Sequence, residues 1–359
     1  MNNRERILTI LSGKQPDQVP WFGDLDYWAN SLIKRGLKPP DFILSDDYIK
    51  WHSDLGVGFY LQGYFPYKQI LHGCEVREWF EGHRHYKEVI TPHGSVRECW
   101  EFIPTSFSDA PVEHFMKSEA DMPVMKYIYE HTSFEPDYGQ AYLRKKQVRD
   151  QGVVLCYLPK SPFMHLLALE AGVMAVTMAA LNAPDEFRDL LDTMKKAFDL
   201  AARIAVESPA EVLMIPENLS SEMVGPELFK MYMYEYQKEW TTKIREAGKY
   251  SFIHIDGTLQ GLIKQEAEVG FTVLEALTPH PVGDMKWEDI EPFTGDSKSI
   301  LWGGIPGSYF TDCVDDDEFD RHVRHLLSIM TKKPGFVLGV ADQVPPDGLE
   351  RRVKRVSEL

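Results

Sequence analysis

The sequence predicts an α/β protein, a closed (β/α)8 TIM barrel with an antiparallel β-meander inserted near its N-terminus. Three observations carry this. After residue 150, strand-like and helix-like segments alternate about six times. Those strand runs are short and apolar throughout, as parallel strands buried on both faces are. Two further apolar runs lie upstream, which brings the number of staves to about eight. The 359 residues suit one such domain spanning 1–359. The alternative layout, an open doubly wound sheet, lacks its usual Gly-rich turn, because Val19–Phe22 leads into Gly23-Asp24-Leu25-Asp26.

Residues 3–13 read as a first helix, with Ile7, Leu8, Ile10 and Leu11 on one side and Gly13 as its stop. Strands are expected at Val19–Phe22 and, after the acidic-aromatic stretch DDYIKWHSDLG, at Val57–Leu61. Residues 74–103 then alternate in type and break at Glu81-Gly82 and at Thr91-Pro92-His93-Gly94, which predicts a meander of about three strands. Residues 104–150 are polar and weakly periodic, and are expected to form helix and loop over the meander. GVVLCYLP opens the regular part. Asn182-Ala-Pro184 starts a helix whose core face is Phe187, Leu190, Leu191, Met194, Phe198 and Ala201. Strands follow at 211–218, 249–256, 271–278, 299–306 and 335–342, with helices at 226–248, 259–268, 286–292, 316–331 and 348–358 between and after them.

Charge and composition exclude several function classes. The net charge of −16 argues against broad nucleic-acid binding and against an anionic lipid surface. The four cysteines form no C-x-x-C pair, so neither a zinc ribbon nor a redox motif is written here. No leader peptide and no apolar run of membrane-spanning length is visible, which makes the cytoplasm the expected location.

Barrel chemistry gathers where strands end at their C-terminal side. The polar residues there are Asp24 and Asp26, Gln62, Lys160 and Ser161, Glu217 and Asn218, His254 and Asp256, Glu275 and Thr278, and Asp342 and Gln343. Carboxylates converging on one mouth repel unless a cation or protons neutralise them. His254-Ile255-Asp256 is the sharpest element, because residues two apart on a strand share a face. Imidazole and carboxylate so placed could share a metal or form a proton-transfer pair, while Asp256-Gly257-Thr258 could equally cap the next helix. Glu217 shares parity with Leu213 and Ile215 and reads as a metal or substrate contact, or as a turn residue before Pro226. Asp342 is a candidate ligand or a helix cap. His280 sits on a loop between prolines and could touch substrate or face solvent. Glu275 reads as a strand-end ion-pair partner. Trp21, Tyr60 and Tyr64 belong to an aromatic-rich N-terminal third that could wall a pocket for a flat substrate, with Asp24 beside it, or simply fill the core.

Several segments, in order, resemble the uroporphyrinogen decarboxylase superfamily. They are NRERILTILSGKQPDQVPWF, LPKSPFMHLLALEAG with LNAPDEFRDLL, the HIDG step followed by EVGFTVLEA, and LGVADQVPPDGLERRVKRV. The resemblance covers most of the chain and implies a (β/α)8 barrel. True decarboxylases carry an Arg-rich clamp for the porphyrinogen carboxylates after the first strand, where this chain has the acidic, aromatic FGDLDYWANSLIKRG. Thiol-methylating relatives bind zinc through an H-x-C pair and a later Cys, where this chain has His254-Ile255-Asp256 and Asp342.

ITPHGSV, PENLSS and EALTPHPVGDM look closest to the corrinoid-dependent O-demethylase type of methyltransferase. That likeness implies methyl transfer from a methoxylated aromatic to the Co(I) of a separate corrinoid protein. For such a reaction the strand-end residues supply catalytic His254, Asp256 and Glu217, and a divalent metal, zinc as first guess, is expected on His254, Asp256, Glu217 and Asp342. Asp24, Trp21, Tyr60, Tyr64 and His280 would hold the substrate. The alternatives are a decarboxylase of tetrapyrrole metabolism and a non-catalytic barrel that carries a tetrapyrrole or corrinoid.

Overall fold

The computed structural model describes residues 1–60, 63–332 and 334–359. The expected strand-end residues Leu61 and Gln62 lie outside them. Six parallel strands form one sheet in sequential order: β7 (Leu155–Tyr157), β8 (Val212–Ile215), β9 (Tyr250–His254), β10 (Val273–Leu277), β11 (Ile300–Pro306) and β12 (Phe336–Ala341). Two short staves close the ring. Trp21 bridges Leu338 of β12, Phe22 bridges Gly58, and Phe59 bridges Gly152 just before β7, all in parallel. The structure is therefore an eight-stave barrel and not an open sheet.

The closing staves are shorter than the runs that announced them, for steric reasons. Pro20 has no N–H to give. The Phe22 ring lies where a side chain at 58 would sit, 2.4 Å from an added Cβ. Backbone bonds still tie the seam: Phe22 N donates to Leu338 O at 3.0 Å, Gly58 N to Trp21 O at 3.0 Å and Phe59 N to Gln151 O at 2.8 Å.

Side-chain alternation sorts the barrel residues into two cores. Phe22, Tyr60, Leu155, Met214, Phe252, Val273, Ile300, Trp302 and Val337 point inward, and Ile7, Ile10 and Leu11 of helix Asn3–Leu11 plug the lower end. Cys156, Leu213, Ile215, Ile253, Ile255, Leu274 and Leu338 point outward onto the helices. An aromatic layer fills the interior. The Tyr60 and Trp302 ring centroids are 4.3 Å apart, and Phe22 and Phe252 lie 5.6 and 5.4 Å from Trp302.

The inserted sheet has four antiparallel strands where three were expected: β2 (Glu75–Glu81), β3 (Arg84–Thr91), β4 (Gly94–Ile103) and β5 (Ser108–Glu113). It runs on to Glu113, beyond the expected limit at 103. A separate antiparallel pair, β1 (Tyr67–Leu71) with β6 (Thr132–Pro136), joins the cover, so 104–150 is not purely helix and loop. The acidic-aromatic stretch forms a helix, Asp46–Asp54, with Tyr48 and Ile49 buried. The helix expected at 226–248 is interrupted at Met233, whose side chain is fully buried. Among the described residues, no helix is long and apolar enough to cross a membrane.

Gly152 tests the closure. A Cβ there would lie 1.6 Å from the Phe59 carbonyl oxygen, so backbone must move. We expect Gly152→Ala to lower stability by about 2 kcal/mol or more. Gly139→Ala, on an open helix start with nothing closer than 4.0 Å, should be neutral or slightly stabilising. Urea denaturation of both variants checks this.

Candidate active site

The inward phase of β9 carries Phe252 and then His254, which places the imidazole at the top of the aromatic layer. The strand ends at His254, two residues short of the expected limit, yet Asp256 still turns toward the same point. One ligand atom each from His254, Asp256 and Asp342 lies within 4.8 Å of the others. His254 Nε2 is 3.6 Å from Asp342 Oδ1. Asp342 follows β12 with φ +71°, a left-handed conformation that Asp tolerates better than most residues. Asp256 Oδ1 is buried without a hydrogen-bond partner.

Behind the imidazole sits Glu275. His254 Nδ1 is 2.6 Å from Glu275 Oε2, and the Tyr60 hydroxyl donates to Glu275 Oε1 at 2.6 Å. Glu275 is fully buried and pairs in register with His254. Its expected role as a strand-end ion-pair partner is what the structure shows, with His254 as the partner. Its inward direction follows from its shared phase with Val273, the inward residue two positions earlier. Tyr157, overlooked in the sequence, is inward-facing near the same acids. Its hydroxyl is pushed well above the usual range by burial and then by Asp24 and Glu275.

Burial alone would pull the His254 imidazole down in pKa. The carboxylates Glu275, Asp342 and Asp256 outweigh it and hold the ring well above its ordinary value. Burial raises the Asp256 carboxyl, with His254 opposing. Asp24 is completely buried, close enough to feel the Asp342 and Glu275 charges, and not on an open wall. Its Oδ1 accepts from Asp26 N at 2.8 Å and its Oδ2 has no partner. Desolvation, then Asp26, push its carboxyl well up, and Asp26 itself is raised to about 6, mainly by burial.

Beside Asp256 and Asp342 opens a cleft of about 470 Å³. Tyr27, Asp256, Thr278, Val282, Cys313 and Asp342 are among its walls, and no Lys or Arg lines it among the described residues.

Four expected site residues fall elsewhere. Glu217 follows the outward parity of Leu213 and Ile215, so it points at the helices and not at the mouth. It accepts from Ser161 N at 3.0 Å and from Gln237 Nε2 at 3.4 Å, and it does not join the His254 group. Trp21 shares the outward phase and stacks on Phe310 at 6.2 Å. Tyr64 lies against the outer core beside Cys156. His280 is exposed on its loop, with its N–H bonded to Met285 O at 2.7 Å.

Tyr60 is inside the barrel, but under the imidazole and buried to 1%, so it forms a floor and not a substrate wall.

Glu217 belongs to a buried polar pocket. Gln237 Nε2 also donates to Glu266 Oε1 at 3.3 Å, while Glu266 Oε2 and Gln237 Oε1 are left without partners. Burial, then the Glu217 charge, raise the Glu266 carboxyl well above its ordinary value. A carboxyl raised by folding stabilises most below its unfolded pKa of about 4.3 and loses that contribution as pH rises through the folded value. Glu266→Gln keeps the shape and adds a donor for Gln237 Oε1. It should raise stability at pH 8 by about 1 kcal/mol and change it less at pH 5. Urea midpoints at both pH values decide this, and a variant weaker at pH 8 would show the carboxyl is held as an anion.

The fold and site can be set beside known proteins. The sequence profile described as uroporphyrinogen decarboxylase (URO-D) matches residues 102–359. No curated protein matches the sequence. A solved methyltransferase from Methanosarcina mazei superposes with a TM-score of 0.63 at 14% identity, covering 100% of this chain and 98% of that one. At that identity the likeness is one of fold. The family match takes in β7 through β12 and with them His254, Asp256, Glu275 and Asp342, and on that ground the chain belongs to the uroporphyrinogen decarboxylase family.

Proposed function

We propose that this protein is a methyltransferase that takes a methyl group from a methoxylated aromatic compound and passes it to the Co(I) centre of a separate corrinoid protein. The observation that carries the reading is the mouth itself. Two carboxylates, Asp256 and Asp342, line a cleft that has no Lys or Arg among its described residues, and a ligand atom of the His254 imidazole lies within 4.8 Å of both. A polycarboxylate such as a porphyrinogen would meet Asp256, Asp342 and Asp347 there with no Lys or Arg on the cleft wall to balance its charge, which disfavours the decarboxylase alternative. A neutral aryl ether meets no such penalty.

Aryl ethers need help at oxygen, because phenolate leaves poorly. The residues at the mouth fit a divalent ion. Three ligand atoms lie within one ion's reach, and Asp256 Oδ1 is buried and unpartnered. His254 Nε2, Asp256 and Asp342 would hold the ion, and its hard, oxygen-rich set suits zinc or another divalent metal. Bound there with a position open, it supplies Lewis acidity to an ether oxygen. Without an ion, the same imidazole is a proton source, held in its charged form by the surrounding carboxylates. No side-chain nucleophile is needed, because the Co(I) of the corrinoid partner would supply it, with the phenolate as leaving group. Tyr27 and Val282 offer the ring apolar contact on the cleft wall, and the corrinoid partner docks over the same opening.

The test is anaerobic incubation with Co(I) cobalamin and a panel of methoxybenzenes, watching for methylcobalamin. We expect demethylation of at least one ether and negligible methylation of coenzyme M or homocysteine, since no thiolate ligand stands at the site. Robust thiol methylation without ether activity would overturn the reading.

Metal content gives a second check. Chain purified without chelator should carry about one divalent ion per site of this type. His254→Ala should lose both ion and turnover, and Asp256→Asn should cut activity by about 10-fold or more with little loss of stability. Full turnover in chelator would reassign His254 and Asp256 to proton transfer alone.

A further inference from the structure

Tyr60 and Glu275 are both buried beyond reach of any substrate, at 1% and 0% exposure, yet they form an unbroken hydrogen-bonded line to the imidazole. The geometry points to Tyr60 as a positioning residue that acts through Glu275 to aim His254 Nε2 at Asp256 and Asp342. The inference rests on the metal reading above and adds to it residues that touch neither ion nor substrate.

Each link is held by its surroundings. Trp302 at 4.3 Å and Phe22 at 6.4 Å fix the Tyr60 ring. Glu275 sits at a bulge in β10, where the register with β11 shifts between Leu274 and Leu277 and Ala276 adopts φ +66°. Bulges re-aim side chains, and a non-glycine residue at positive φ persists only where its surroundings enforce it. Gly303 makes room for the bulge, because a Cβ there would lie 2.5 Å from Leu277 O.

With one carboxylate oxygen on Tyr60 and the other on His254 Nδ1, the imidazole must present Nε2 outward. An outer carboxylate that fixes a ligand's tautomer and orientation raises metal affinity, and its loss costs about 10–100-fold.

Zinc dissociation constants from chelator competition test this on the full-length chain, with thermal melts alongside. Tyr60→Phe keeps the ring in its aromatic layer and removes only the hydroxyl. We expect it to bind zinc about 10-fold more weakly, and Glu275→Gln to lose at least as much. Tyr64→Phe, on the outer side of the barrel, should bind as the unmodified chain does.

If Tyr60→Phe binds as tightly as the unmodified chain, Tyr60 has no positioning role, while the metal reading stands. If Tyr64→Phe weakens binding as much, the effect is general loosening and the inference fails. An unmodified chain that takes up no zinc or other divalent ion overturns the metal reading and this role together.

Discussion

Alternation of side chains along the barrel staves is the constraint on which this molecule depends. Each strand lends every second residue to the interior, and the phase is set by bulky groups that fit nowhere else, Met214, Phe252 and Trp302 among them. Once Phe252 faces inward, His254 must as well. Once Ile215 faces the helices, Glu217 is committed to them. Two polar strand-end residues that look alike in sequence thus end in different chemistry. One stands beside the two carboxylates that line a cleft, and the other is sealed among Ser161, Gln237 and Glu266.

Charge follows from the same geometry. The interior phase delivers Glu275 and His254 side by side, and the turns after β9 and β12 add Asp256 and Asp342. A single imidazole among three carboxylates is a poor arrangement for an empty, dry core. It is a stable one where a cation is held, whether a proton on the ring or an ion in front of it. The partnerless oxygens of Asp24 and Asp256 mark the places where neutralisation by protein groups is incomplete.

Much of the fold was legible because parallel strands announce themselves as short apolar runs separated by amphipathic helices. The two closing staves were also legible, although Phe22 against Gly58 reduces them to single bridges. The cover was read less well. β5 and the β1–β6 pair are edge-like and polar, so their hydropathy says little, and the helix at Asp46–Asp54 hides its apolar face among aromatic residues.

At the site, the i, i+2 spacing brought His254 and Asp256 together even though the strand stops between them. The same parity argument, applied to Glu217 without asking which phase faced inward, placed it wrongly. Trp21 takes the core-filling alternative of the aromatic-rich third, in the outward phase. Glu275 was visible as a strand residue, but its pairing with His254 is a register property that no single segment contains.

The aromatic layer of Phe22, Tyr60, Phe252 and Trp302, with helix Asn3–Leu11 beneath it, packs the barrel interior. Among the described residues those rings fill the axis below His254, so the imidazole is approached from the side of Asp256 and Asp342. A ligand seated against those two carboxylates would cover the imidazole as well, and a second one could reach it only in turn.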